Sequence, residues 1–445
     1  MCVRVSELQI CRLNAEILVW YARRRHYMGD VLSIGVHICL FVTLYFEVFL
    51  LMTFLEAKPL ADLEEKRRRE PQRFPSVSII VPCYNEERTV VKTLLSLLEL
   101  NYPKDKLKIF VIDDGSTDTT WKVLQRFKDN RQIEIYQKEN GGKHTALNFA
   151  LGKITSELVG CLDADSFVAP DALREIVKTF EDPEVMAVTP SIQPTPPRNL
   201  IQLIQKAEYS LSVFIRRTFA HLNGIFITPG PFSFFRREVF DKLGTYKAAH
   251  NTEDLEFGLR MQMHHFKIDN APTAHVFTNT PGTIPALFRQ RLRWTYGYLK
   301  NSIDYRFLFF KREYGNLGML VLPIASLAIF TALYFAAVLV YSGIMQVIQK
   351  IVEIQTVGIQ APEVNFDFDW FYVNTSASIF LIISIITITV TLTLLGKRLS
   401  NQSIRFPIDI LAYMLFYGFL APWWLARAVY NAARSKESSW TAERR

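Results

Sequence analysis

Apolar positions along this chain fall into two regimes. Toward both ends they form long runs, at about residues 31–55, 317–341, 376–395 and 406–429. Runs of this kind suit transmembrane helices, which need roughly 20 apolar residues to cross a bilayer. Between the first and second runs the apolar stretches become short, and each is followed by polar, small or acidic residues and then by a helical pattern. Val77-Ser78-Ile79-Ile80-Val81 leads through Pro82 and Cys83 into Tyr84-Asn85-Glu86 and a helix at 87–98. Residues 107–112 end at Asp113-Asp114-Gly115 and feed a helix at 119–127; residues 133–136 lead to Gly141-Gly142-Lys143 and a helix at 145–151. Strands alternating with helices predict an α/β domain with a mostly parallel sheet and right-handed crossovers. Ligands of such sheets bind beyond the carboxyl ends of the strands.

The fourth strand, 158–161, delivers Asp163 and Asp165, one residue apart, to such an end. Two carboxylates at a turn can converge on one cation, and oxygen ligands suit Mg²⁺ or Mn²⁺, ions that commonly carry a substrate diphosphate. By itself the pair also fits turn and helix-cap chemistry. Further on, residues 200–219 repeat apolar positions at helical spacing, with Arg216-Arg217 at the far end, which fits either core packing or a helix lying on the membrane. Thr252-Glu253-Asp254 opens another helical stretch, and Gln290-Arg291-Leu292-Arg293-Trp294 precedes an aromatic, basic run.

Three regions follow: residues 1–75, an interfacial segment, one span and a linker; residues 76–305, the α/β domain; and residues 306–445, interfacial and transmembrane helices. Residues 345–352, apolar at helical spacing with Gln346, Gln349 and Lys350 interspersed, read as an interfacial helix separate from the preceding span. Lys397, Arg398 and Arg405 make the loop before the last span cytosolic. Strict alternation then leaves the basic tail outside, unless the last span, with Pro407 and Pro422, re-enters or one segment is miscounted.

Composition narrows the partners. At 445 residues two or three units are expected. The net charge of +8 could suggest nucleic acid, but the basic runs at 23–25 and 66–69 flank an apolar span, so membrane lipid headgroups are the expected partner and nucleic acid is not. The five cysteines show no metal-ligand spacing, and Cys83 and Cys161 in apparent strands fit a reducing compartment. Charges interrupt the N-terminal stretch, so no cleavable signal peptide is expected. His275 reads as a structural histidine rather than a ligand, and Arg291 as a membrane-surface charge outside the site.

Asp113-Asp114-Gly115, Asp163-Ala164-Asp165, Thr252-Glu253-Asp254 and Gln290-Arg291-Leu292-Arg293-Trp294, in this order and followed by apolar helices, resemble the membrane-embedded processive glycosyltransferases of family 2. That group comprises cellulose, chitin, hyaluronan and poly-N-acetylglucosamine synthases. The resemblance covers about residues 76–305, and the flanking helices match in arrangement only. It implies a GT-A type nucleotide-diphospho-sugar transferase domain, Rossmann-like and inserted in sequence between transmembrane helices. It also implies a UDP-sugar donor, a carbohydrate polymer acceptor and Mg²⁺ or Mn²⁺ as cofactor. Position by position, Asp113 and Asp114 stand where the family contacts uridine, with Tyr84 and Glu86 in the same pocket. Asp163 and Asp165 match the metal–diphosphate motif, and Lys143 a lysine near the phosphates. Asp254 matches the catalytic base; Gln290, Arg293 and Trp294 match the motif that closes over the diphosphate and stacks the acceptor.

The chemistry agrees with that assignment. Glycosyl transfer needs a neutralised leaving diphosphate and a carboxylate that takes the acceptor's proton, and one displacement should invert the anomeric centre. Thr228-Pro229-Gly230-Pro231-Phe232 lies where related synthases shape the acceptor pocket. The absence of a cyclic-dinucleotide-binding domain and the short length favour N-acetylglucosamine polymers over cellulose. The expected location is the plasma membrane with a cytosolic catalytic domain; oligomeric state is left open. A single-addition transferase acting on a lipid or lipid-linked sugar is the alternative.

Overall fold

The computed structural model describes residues 32–58, 70–358, 376–405 and 407–434. The expected interfacial segment at 1–30 and the basic runs at 23–25 and 66–69 lie outside the described residues. The chain divides into two compact units: residues 1–48 with 330–388, and residues 49–329 with 389–445.

The larger unit is built on one eight-stranded sheet. Its strands are β1 (Val77–Cys83), β2 (Leu107–Asp113), β3 (Ile133–Gln137), β4 (Leu158–Cys161), β5 (Ser166–Val168), β6 (Val185–Pro194), β7 (Phe234–Arg236) and β8 (Lys267–Thr278), in the spatial order β3-β2-β1-β4-β7-β6-β8-β5. The parallel expectation holds for β3-β2-β1-β4. Beyond β4 the sheet is mixed: β7 runs antiparallel to both β4 and β6, β6 and β8 are parallel, and β5 is antiparallel to β8. Short β7 lies between two strands far from it in sequence, so no local pattern discloses its direction. Gly160 on β4 faces Phe234 on β7, where a Cβ would stand 2.3 Å from the Phe234 ring.

Alternation along β1 sends Ile79 and Val81 to one face and Ile80 to the other. The first face is covered by α2 (Val90–Leu98) and α5 (Ala172–Thr179), through Leu94, Leu97, Leu173 and Ile176. The opposite face packs on α4 (Lys143–Leu151) and α8 (Glu253–Met263), through Leu147, Ala150, Phe257 and Met261. Helices α3 (Thr120–Leu124) and α7 (Arg237–Leu243) complete the layers. With both faces covered, β1 reads as a continuous apolar run rather than an alternating one. The parallel strands β1, β2 and β4 therefore end on one edge, which fixes where Tyr84, Asp114 and Asp163 emerge.

Three longer helices meet beside this edge: α6 (Leu200–His221), α9 (Ile284–Asp304) and α12 (Ile408–Ala433). Leu287 and Leu292 of α9 pack with Ala421 and Trp424 of α12, and Ile201 of α6 joins them. Side-chain caps start α6 and α9, where Asn199 and Thr283 accept from the amides of Gln202 and Ala286.

Among the described residues, four helices are long and apolar enough to cross a membrane: α1 (Leu32–Lys58), α10 (Leu322–Val357) with the turn before it, α11 (Ala377–Leu399) and α12. Residues 345–352 do not form a separate interfacial helix. They continue α10, because their apolar positions keep helical spacing and no proline interrupts them. Helix α12 runs unbroken through Pro422. Lys397, counted above as a loop charge, is 2% exposed and pairs with Asp409 at 2.6 Å. Within the smaller unit, Tyr334 donates to the Leu32 carbonyl and Ser378 bonds His37.

Candidate active site

A cavity of about 1070 Å³ opens at the carboxyl edge of β1 and β4. Its wall includes Tyr84, Glu86, Lys143, Asp163, Asp165, Asp254, Gln290, Arg293 and Trp294, so nine of the expected site residues face one space. Asp113 and Asp114 do not line it. Asp113 is fully buried, accepting from Ser116 and Gln137. Asp114, 2% exposed, accepts from the amides of Gly141 and Gly142 at 3.2 and 2.8 Å and from Lys138 at 2.6 Å. Asp113 thus ties the turn after β2 to the end of β3, while Asp114 holds the turn that starts α4. Gly142 sits there at φ +89°, and Lys143 is the first residue of the helix.

Lys143 reaches back across the strand ends. Its Nζ lies 2.6 Å from Asp163 Oδ1 and 3.4 Å from Glu253 Oε1. Burial alone would lower the ammonium's pKa, but these carboxylates hold it well above its ordinary value. Gly230, between Pro229 and Pro231, leaves room for the pair. Asp165 also faces the cavity; Ser166 donates to its Oδ1 at 3.1 Å and Asn279 to its carbonyl at 3.2 Å.

Asp254 stands in the first turn of α8, where the helix dipole favours the ionised form. Burial and then the adjacent Glu253 carboxylate outweigh that effect and the pull of Lys143 and Arg293, raising its pKa to about 6. A carboxylate near neutrality is suited to general-base work. The loop before it is unusual: Ala249, His250 and Asn251 all have positive φ. Helix α9 braces it. Asn301 Nδ2 donates to Thr252 Oγ1 at 2.9 Å, and Gly297 lets the helix approach so closely that a Cβ would stand 2.3 Å from the Thr252 side chain.

Arg291 is not a surface charge. It is 3% exposed, pairs with Glu208 at 2.8 Å and lies 4.2 Å behind the Trp294 ring. His275 bonds Gln193 and Asn401, as a structural histidine should. Cys161 donates to the Gly230 carbonyl at 2.9 Å, and its burial pushes the thiol up.

Residue-by-residue reading missed the wall supplied by α6 and α12. Glu208, Tyr209, Ser212 and Arg216 of α6, and Arg427 and Asn431 of α12, line the same cavity. The polar i, i+4, i+8 row at 208, 212 and 216, opposite the apolar face, was the available signal.

Residues 78–244 match the family model described as glycosyl transferase family 2. This segment is a glycosyl transferase family 2 domain. Among curated proteins, the chain is 32% identical over 233 residues to poly-beta-1,6-N-acetyl-D-glucosamine synthase of Staphylococcus epidermidis, covering 52% of this chain and 56% of that one. It is 28% identical over 260 residues to the enzyme of that name from Staphylococcus aureus strain COL, covering 58% and 63%. The chain therefore spans little more than half the length of these relatives. Among solved structures, the mannosyltransferase PcManGT from Pyrobaculum calidifontis, in complex with GDP-Man and Mn²⁺, matches with a TM-score of 0.54 at 18% identity, over 89% of this chain and all of that one. The fold is that of GT-A glycosyltransferases. In these terms the cavity lies at the carboxyl edge of the glycosyl transferase domain and is closed by helices that follow it in sequence.

Proposed function

We propose that this chain is a membrane-embedded, inverting glycosyltransferase that moves N-acetylglucosamine from its UDP-linked donor onto a growing β-linked polysaccharide and translocates the product. Asp254 carries this reading: a carboxylate with pKa raised to about 6 shares one cavity with the Lys143–Asp163 pair and with Trp294. The names of the staphylococcal relatives supply the sugar, and the sequence resemblance supplies UDP. Its location would be the cell membrane, with the transferase domain on the cytosolic side.

Asp254 accepts the proton of an acceptor hydroxyl as that oxygen attacks C1 of the donor sugar. The C1–O bond to the diphosphate breaks, UDP departs, and the configuration inverts. Tyr84 and Glu86 line the nucleotide's part of the cavity, while Asp113 and Asp114 shape it from behind. Lys143 and Arg293 offset the departing charge. Trp294 offers an aromatic face to the acceptor ring, and Gln290 a hydrogen-bonding amide beside it.

The donor set fits a divalent cation. Asp163 and Asp165 both face the cavity, where Asp163 Oδ1 is paired with the Lys143 ammonium. Among the described residues no cluster of three or more His, Cys, Asp or Glu side chains could enclose a metal. The protein would thus supply few ligands and leave the rest to phosphate and water, the habit of Mg²⁺ and Mn²⁺. Bound there, the cation would neutralise the leaving diphosphate.

A second reading, single addition to a lipid-linked phosphate acceptor, has one observation in its favour. Arg216, Arg289 and Arg427 line the cavity, and among the described residues none forms an ion pair. Product size separates the two. The purified protein in lipid nanodiscs, given UDP-N-acetylglucosamine alone, should make long chains. Products of one added sugar favour the second reading, and no UDP release from any UDP-sugar overturns both.

A further inference from the structure

Arg291 belongs to the Gln290–Trp294 segment yet turns away from the cavity into protein. Its Nη2 donates to Glu208 Oε2 at 2.8 Å, its Nη1 donates to Gln290 Oε1 at 2.8 Å, and its guanidinium carbon lies 4.2 Å from the Trp294 ring. The other Glu208 oxygen accepts from Tyr417 Oη at 3.0 Å. One carboxylate on α6 therefore holds a residue of α9 and a residue of α12. The indole is 40% exposed, so the guanidinium backs it while it also faces the cavity.

A guanidinium can do this because it is planar: it stacks on a ring with its face while its edge donates to two separate oxygens. A buried cation also depends on its counter-charge, and removing one partner of a buried pair leaves the other uncompensated. Without Glu208, Arg291 would move toward water and take with it both the plate behind Trp294 and the donor that orients Gln290.

We infer that Glu208 is a positioning residue for the acceptor sugar, fixing Trp294 and Gln290 through Arg291 and tying both to α12 through Tyr417. The inference rests on the proposed reading of Trp294 as the acceptor platform. It extends that reading to two side chains outside the motif, one of them on a helix long and apolar enough to span a membrane.

The test compares full-length Glu208→Gln, Tyr417→Phe, Trp294→Ala and the double variant Glu208→Gln/Trp294→Ala in lipid nanodiscs. For each, UDP affinity is measured by titration, and N-acetylglucosamine incorporated is measured per UDP released. A purely structural role for Glu208 would lower all of these together. A positioning role leaves UDP affinity near wild type and lowers incorporation about ten- to a hundred-fold, in line with a misplaced reactant, with a growing share of UDP released by hydrolysis. The double variant should then lose much less than the product of the two single losses, because Glu208 acts largely through Trp294. Multiplicative losses in the double variant overturn the inference, as does wild-type coupling in Glu208→Gln while Trp294→Ala is impaired. Wild-type coupling in Trp294→Ala overturns the platform reading itself. If Glu208→Gln fails to bind UDP, Tyr417→Phe carries the test, since it deletes a single hydroxyl; a several-fold loss of coupling supports the inference and wild-type coupling overturns it.

Discussion

Gly230 and Lys143 fit together at the centre of the cavity: a Cβ on Gly230 would stand 2.5 Å from Lys143 Nζ, and 2.9 and 3.0 Å from the Asp163 oxygens. The backbone of the Pro229–Pro231 bend thus sets the space in which Lys143 and Asp163 meet at 2.6 Å. Segments well separated in sequence close on one ion pair.

Gly230→Ala should uncouple this geometry from stability. The clashing atoms are side-chain ends that can swing aside, so the melting temperature should stay within a few degrees of wild type. The displaced Lys143 no longer meets the leaving phosphates. Turnover should fall about a hundred-fold, as for a misplacement on the order of 1 Å. UDP release and thermal unfolding of the purified variant check both halves.

Asp165→Ala should abolish transfer while leaving the fold intact, because its carboxylate faces the cavity and buried Ser166 keeps its hydrogen bond to Thr278. Wild-type protein in excess chelator should lose activity likewise, with recovery on adding Mg²⁺ or Mn²⁺. Full turnover under chelation would remove the metal from the reaction.

Asp254 governs the pH profile. Its pKa is raised to about 6, and the base works only when deprotonated, so transfer should rise with pH through about 6 and fall on the acid side as the carboxyl takes up its proton. Asp254→Asn should remove that limb and lower the rate by about 10²–10⁴-fold, the usual size of a general-base contribution. UDP affinity should hardly change. A rate-versus-pH series on both proteins is the measurement; near-normal turnover in the variant would move the base to Glu253.

Asp114→Ala should act through the loop it holds. Two backbone amides and Lys138 lose their shared acceptor in a buried setting. Removal should cost on the order of 3 kcal/mol of stability. It should also weaken UDP binding, because the turn before Lys143 loosens. Chemical denaturation and UDP titration test this; loss of UDP binding at unchanged stability would instead put Asp114 in direct contact with the nucleotide.

How much of this was legible before folding follows from what each signal depends on. The β1–β4 half of the sheet was, because parallel strands covered on both faces are written as short apolar runs with turn residues at their carboxyl ends. The acidic pair at 163 and 165 and Asp254 were legible because each sits at an element boundary that local pattern marks; the Gln290–Trp294 segment, inside α9, was legible only through its resemblance to a family motif. The apolar spans were legible from length and composition, apart from the continuation of α10 through 345–352.

Tertiary structure alone decided the rest. The reversal at β7 depends on strand pairing across long sequence separations, which period and propensity do not encode. Asp113 and Asp114 look alike in sequence to residues that face a ligand, yet burial and two glycine amides turn Asp114 inward to build the loop before Lys143. Arg291 reads as a surface charge until Glu208, far away on α6, compensates it and Trp294 covers it. Lys397 becomes a buried partner only when Asp409 folds against it. A charged side chain takes its role from its counter-charge and its desolvation, and both are set by residues that only folding brings near.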